Sequence, residues 1–271
     1  MTISLDWKER LKSDTIDFYE NKIPQKYYDI DVLYNIYPER IDNKVPQIVV
    51  TYVAKILASK MAKKADQYFD FYDYIIANKG DYGITIFSYI MASAIKKNPD
   101  AYINYIHKVL NKTTHQKNCN LLLDKAVMPL LTSNPNKYLY TVLDWTNSDN
   151  DILVEGLKKL IIKFAGKQPK YLKPIFKKLE TAWLYASPEI IKFNISFLKS
   201  IYTLDKKFYI SIYQNYKSTR NLIFAEILSN SIKVYHPEIE ELAQNWASSG
   251  NVKLKKIGQL TLKHLKKMKK K

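Results

Sequence analysis

The chain has 271 residues, 46% of them apolar and 25% charged, and carries a formal net charge of +17 at pH 7. This is ordinary globular material, able to bury a core in one elongated domain or two small ones. Six glycines argue against a loop-rich or sandwich fold, and the single cysteine, Cys119, excludes an internal disulfide and a cysteine-based zinc site.

Residues Met1 to Trp7 show no basic segment followed by an apolar one, so no secretory signal is read there. The first 44 residues are less regular and more acidic than the rest, and are predicted to form a helical capping region (1–44). Val45 to Asn78 reads as a first helix pair. Within it Asp66, Asp70 and Asp73 alternate with aromatic residues such as Tyr68 and Tyr74, the pattern of an acidic outer face. The longest apolar stretch, Tyr82 to Ile95, is interrupted by Ser and Thr and is too short to span a bilayer. A cytoplasmic protein with no membrane partner is expected.

From residue 98 onward one short pattern returns. It reads Asn98-Pro99-Asp100-Ala101-Tyr102, Asn134-Pro135-Asn136-Lys137-Tyr138, Gln168-Pro169-Lys170-Tyr171 and His236-Pro237-Glu238-Ile239, with a degenerate copy at Leu204-Asp205-Lys206-Lys207-Phe208. The proline or its stand-in recurs every 32 to 36 residues. A polar residue followed by proline suits a helix start, because the missing N–H of proline has no partner in the first turn anyway. Between copies lie second helix starts at Ser148-Asp149-Asn150, Ser187-Pro188-Glu189 and Ser249-Gly250-Asn251, each preceded by a tryptophan: Trp145, Trp183 and Trp246. Leu153, Leu157, Leu160, Ile161 and Phe164 share one helical face, as do Ile191, Ile195, Leu198 and Tyr202, and both rows are expected to face the core. Pro129 falls inside a helix expected from about Asn118 to Thr132 and should kink or end it. Two antiparallel helices per unit at this period predict an all-α, HEAT-like helical-repeat solenoid over 45–271, a right-handed superhelix with a basic concave face and a frayed basic tail at 266–271.

The charge points to a polyanionic partner, because lysines near phosphates release condensed counterions. Only Arg10, Arg40 and Arg220 are arginines. Base-specific readout leans on bidentate arginine, so contacts to the phosphate backbone are expected instead. The repeat makes the helices starting near residues 118, 150, 187, 220 and 251 equivalent. They carry Lys125, Lys158, Lys159, Lys163, Lys192, Lys199, Arg220, Lys233, Lys253 and Lys256, the candidate nucleic-acid contacts. Each of these lysines alone also reads as a solvated side chain, as in the i,i+4 pair Glu155 and Lys159. The final segment, Asn251 to Lys271, holds nine lysines and no acid.

Asn134 to Tyr216, through Trp145-Thr146-Asn147-Ser148-Asp149-Asn150 and Ala186-Ser187-Pro188-Glu189-Ile190-Ile191, resembles the HEAT-like repeat alkylpurine DNA glycosylases of the AlkD family. The resemblance implies binding of duplex or damaged DNA and, in active members, excision of alkylated purines by an aspartate, two tryptophans and a backbone-binding arginine. The arginine position falls on Glu155, the second tryptophan on Phe197 and the first on Gln116 or Asn120. The aspartate falls on Asn120, or on Asp124 with a gap. The implied reading is a DNA-binding, monomeric relative with weak or no base excision, Asp124 being the candidate catalytic carboxylate and Phe197 a candidate DNA contact. A non-enzymatic scaffold for an acidic protein is the alternative reading.

No glycine pattern for a nucleotide cofactor occurs, and His107, His115, His236 and His264 lack metal-ligand spacing, so no cofactor or metal is expected. The 22 tyrosines sit at helical spacings that suit packing between helices.

Overall fold

A computed structural model of the chain describes residues 7–35, 37 and 40–270. The fold is all-helical; the one β feature among the described residues is an isolated bridge between Ile41 and Lys44. The chain divides into two compact units, residues 1–138 and 139–271.

The first unit opens with α1 (Trp7–Asp17) and a π-turn at Phe18–Lys22, followed by the single turn α2 (Asp31–Tyr34). Then come α3 (Gln47–Met61), α4 (Phe69–Asn78), α5 (Gly80–Ala94), α6 (Pro99–Asn111) and α7 (Gln116–Leu122). A π-turn at Leu123–Val127 leads into α8 (Met128–Ser133). The segment expected as a cap packs into this unit, α1 lying on α3. Helix α5 is the centre: α3, α4, α6 and α7 all contact it, and Ile86, Phe87, Ile90 and Met91 are fully buried. The long apolar stretch is therefore a core helix. Gly83 lets α5 approach α4 closely, since a Cβ there would collide with the backbone of Ile75.

Pro129 disturbs its helix as expected, and the form of the disturbance is visible. Its ring would clash with the carbonyl of Lys125 in a regular α-helix. The chain widens into the π-turn just before it, and the N–H of Met128 donates to Leu123 O, five residues back.

The start of the first unit is tied down by Lys79, only 12% exposed, whose ammonium donates to Asp29 (2.5 Å) and Asp31 (2.9 Å). Burial disfavours its charge, but the two carboxylates outweigh this and hold the ammonium above its ordinary range. The bond from Lys79 in turn holds the Asp29 carboxyl below its ordinary range. A lowered carboxyl pKa contributes stability that is full above about pH 4 and lost as pH falls through the folded value. The raised lysine contributes stability that is full below about pH 10 and lost above it. Thermal midpoints measured from pH 7 to pH 3 should therefore fall more steeply for the native chain than for Lys79→Met; parallel curves would contradict this.

The second unit contains α9 (Pro135–Asp144), in which the division falls, then α10 (Asp151–Lys167), α11 (Leu172–Glu180) and α12 (Pro188–Leu204). It continues with α13 (Lys206–Asn215), α14 (Leu222–Asn230), α15 (Pro237–Ala247) and α16 (Val252–Lys269). Helices α10, α12, α14 and α16 contact one another in series, and α13 contacts α15. Several of the helix starts carry side-chain caps, whereas Asn98 and Gln168, each followed by proline, make no side-chain cap hydrogen bond. Asn150, Ser187, Asp205, Asn221, His236 and Asn251 each accept a backbone N–H of the following first turn. In the degenerate copy Asp205, which the repeat aligned with proline, is itself the cap, so the register there shifts by one residue.

The tryptophans that precede the second starts are buried. Trp183 donates from Nε1 to Asn194 Oδ1 at 2.9 Å, stacks on Tyr216 and meets the edge of Phe224. Trp246 donates to Thr219 O at 3.0 Å. The core row of α10 is as expected, with Leu153, Leu157, Leu160, Ile161 and Phe164 all buried. On α12 the expectation needs correction. The buried row is Phe193, Asn194, Phe197, Leu198 and Ile201, whereas Ile191, Ile195 and Tyr202 lie half-buried on its flank. The frayed tail is also corrected: the helix runs on to Lys269, anchored by buried Leu265, and Lys269 lies 4.7 Å over the Tyr235 ring. Lys271 and residues 1–6 lie outside the described residues.

Candidate nucleic-acid interface

In the first unit, Asp124 and Lys125 lie on the π-turn before Pro129. Asp124 is exposed, and Lys125 is half-buried with its ammonium 4.5 Å from the centroid of the Tyr89 ring. Gln116 donates to Asn120 Oδ1 at 3.0 Å along α7. Cys119 is fully buried, which pushes its thiol up to about 12 and leaves it unreactive.

The candidate cations of the second unit fall into two sets. On α10 and the first turn of α12, Lys158, Lys159 and Lys192 are paired with carboxylates of their own helices. Glu155, at the position where the resemblance implies an arginine, pairs with Lys158 and, at 3.6 Å, with Lys159. Glu189 pairs with Lys192 at 3.6 Å. A small depression between these helix starts is lined by Asp151, Glu155 and Glu189 against Lys158 and Lys192, an excess of carboxylates that disfavours phosphate. Lys163 is exposed further along α10. Phe197 is 1% exposed and packs in the core, so the sequence expectation of a DNA contact there is corrected: an aromatic ring cannot reach a nucleotide without leaving the interior.

The second set lies toward the C-terminus. Lys199, Arg220, Lys233, Lys253 and Lys256 are exposed, and none forms an ion pair among the described residues. Helix α16 itself carries seven lysines and no acid, every one of them exposed. On the other helices several lysines are engaged, Lys170, Lys173 and Lys206 over aromatic rings and Lys178 with Asp144 at 2.6 Å.

Sequence reading missed a groove of about 550 Å³ lined by α12, α14 and α16. Its origin is a difference in length. Helix α14 has nine residues, its neighbours α12 and α16 have 17 and 18. At 1.5 Å per residue the middle helix is about half as long as the two flanking it, which leaves a depression past its end. Lys199, Lys233 and His264 supply basic side chains to the groove, and Ile257, Leu260 and Met268 of α16 supply apolar ones. Ser229 and Thr261 hydrogen-bond at 2.7 Å between α14 and α16.

Two buried tyrosines shape the turn that places Lys233. Tyr213 donates to Leu228 O at 3.1 Å, and Tyr209 donates to Ser231 O at 2.9 Å while accepting from the N–H of Lys233 at 3.0 Å. Both hydroxyls are held neutral because burial raises their pKa. Tyr209→Phe removes the donor and acceptor of a buried turn, and should lower stability by about 1–3 kcal/mol. Urea unfolding tests it; a loss well below 1 kcal/mol would mean the turn is held by packing alone.

Among the described residues no helix is long and apolar enough to cross a membrane, and no group of three or more His, Cys, Asp or Glu is placed to hold a metal ion. No protein-family model, no curated protein and no solved structure matches the chain.

Proposed function

We propose that the helix pairs of the second unit are successive HEAT-like repeats and that this unit binds duplex DNA through its phosphate backbone. The observation that supports this is the set of exposed, unpaired cations recurring from α12 through α14 to α16: Lys199, Arg220, Lys233, Lys253 and Lys256. One arginine among five favours phosphate contact over base readout. The reading assigns recognition by charge and backbone shape, with weak or no base excision. Release of 7-methylguanine from alkylated DNA that disappears in Asp124→Asn would overturn the last part.

The test is the affinity for a short DNA duplex at several salt concentrations. Five phosphate contacts give a slope of log K against log salt of about −4.5. Flat or absent binding would sink the proposal. A second reading, an acidic protein as partner, draws on Leu184 and Tyr185, 51% and 90% exposed on the turn before α12, which a protein interface could bury. That reading would take the lead if an acidic protein displaced the duplex while free salt did not.

A further inference from the structure

The groove between α12, α14 and α16 has a chemistry that a duplex backbone alone does not use. A row of phosphates needs cations and donors; it has no use for an apolar wall. Yet Ile257, Leu260 and Met268 all line this groove, and Leu260 remains 58% exposed. Set against that wall are the ammonium groups of Lys199 and Lys233, and the carboxylate of Glu226, which has no ion pair among the described residues.

Apolar surface, cations and one acceptor in the same concavity match the phosphate of a nucleotide and the face and edge of its base. A phosphate takes the lysines. The face of a base covers the aliphatic wall. The N–H groups on the edge of a base donate to a carboxylate such as Glu226. A fatty acyl chain would satisfy the wall but offers Glu226 no donor, and a row of acidic side chains would meet it with like charge. The volume is within the usual range for one small ligand, roughly 300–1,000 Å³.

We infer that this groove receives a single unpaired nucleotide, displaced from a duplex or carried on a single-stranded segment, with its phosphate at Lys199 and Lys233 and its base on Leu260. The inference rests on the DNA-binding reading above and specifies what the second unit recognises beyond charge. A stacked, paired base cannot enter, so the groove discriminates irregular DNA from regular duplex. Ser229 and Thr261 fix the spacing of its two walls through their mutual hydrogen bond.

The experiment compares a blunt duplex with the same duplex bearing one extra unpaired nucleotide, by fluorescence anisotropy at fixed salt. The native chain should bind the bulged duplex roughly tenfold more tightly, the worth of burying one face of a base. Leu260→Ser is the variant, because an exposed position leaves folding intact and a neutral residue leaves the charge unchanged. It should reduce the preference to below about threefold and leave blunt-duplex affinity as it was. With 5-iododeoxyuridine at the bulge, irradiation should crosslink the peptide carrying His264 and Met268. Equal, salt-sensitive binding of both duplexes by the native chain would overturn the groove assignment and leave the DNA-binding reading standing. So would a preference that survives Leu260→Ser, since an easily bent bulge would then explain it. Failure to bind either duplex would overturn both.

Discussion

Gly258→Ala should destabilise the protein by about 1–3 kcal/mol or more, although alanine is normally the better helix residue. A Cβ at 258 would stand 2.8 Å from Ala243 O and closer still to Ala247 N. These are backbone atoms of α15, so the clash cannot be relieved by turning a side chain. It can be relieved only by moving α16 away from α15, the helix it is packed against. Gly166→Ala is the opposing control. Gly166 is exposed inside α10, and its nearest neighbour for a Cβ would be Leu204 Cδ2 at an ordinary 3.9 Å. That substitution should stabilise by about 0.5–1 kcal/mol through helix propensity and the unfolded chain. Urea midpoints shifting in opposite directions would establish the close approach of α15 and α16. Two shifts of the same sign would show that the helices are not packed at that distance.

Replacing Lys199, Lys233, Lys253 and Lys256 together by Gln should weaken duplex binding by roughly 10³-fold at 0.1 M salt, and bring the salt slope from about −4.5 to about −1. The comparison set is Lys158, Lys159 and Lys192, whose charges are already answered by Glu155 and Glu189. Changing those three to Gln should reduce affinity by less than about tenfold, because cations already engaged with Glu155 and Glu189 contribute little to phosphate binding. Binding lost equally in both variants would mean that net charge alone governs affinity. That outcome would remove the case for an interface centred on α12, α14 and α16.

The candidate site was only half legible in the sequence. Helical equivalence of the starts near 150, 187, 220 and 251 placed the candidate cations on or beside one series of contacting helices, because capping chemistry is local and repeats where the fold repeats. The pairing of Glu155 with Lys159 was readable from spacing alone. Phe197 was given a DNA contact by the resemblance alone, and the apolar pattern of its helix could not correct that. Helix α12 is apolar over a wide arc, including Ile190, Ile191, Phe193, Ile195, Phe197, Leu198 and Ile201, and hydrophobicity does not say which part of such an arc turns inward. Neighbouring helices decide it, here through Trp183, whose indole N–H seeks Asn194 on the same helix face.

What the sequence determined by itself is the set of local decisions: helices rather than strands, their starts at polar caps and prolines, and the widening of the chain ahead of Pro129. Each depends on residues within one or two turns, so no distant contact is needed to make it. What only the tertiary structure decided is everything that joins residues far apart in the chain. Lys79 closes on Asp29 and Asp31, roughly 50 positions earlier in sequence, to hold the first segment. Gly258 permits α16 to reach α15, and the shortness of α14 between two long neighbours opens a groove that no motif marks. Lysines are read from sequence as charge, but whether a charge is available depends on which carboxylate folding brings beside it.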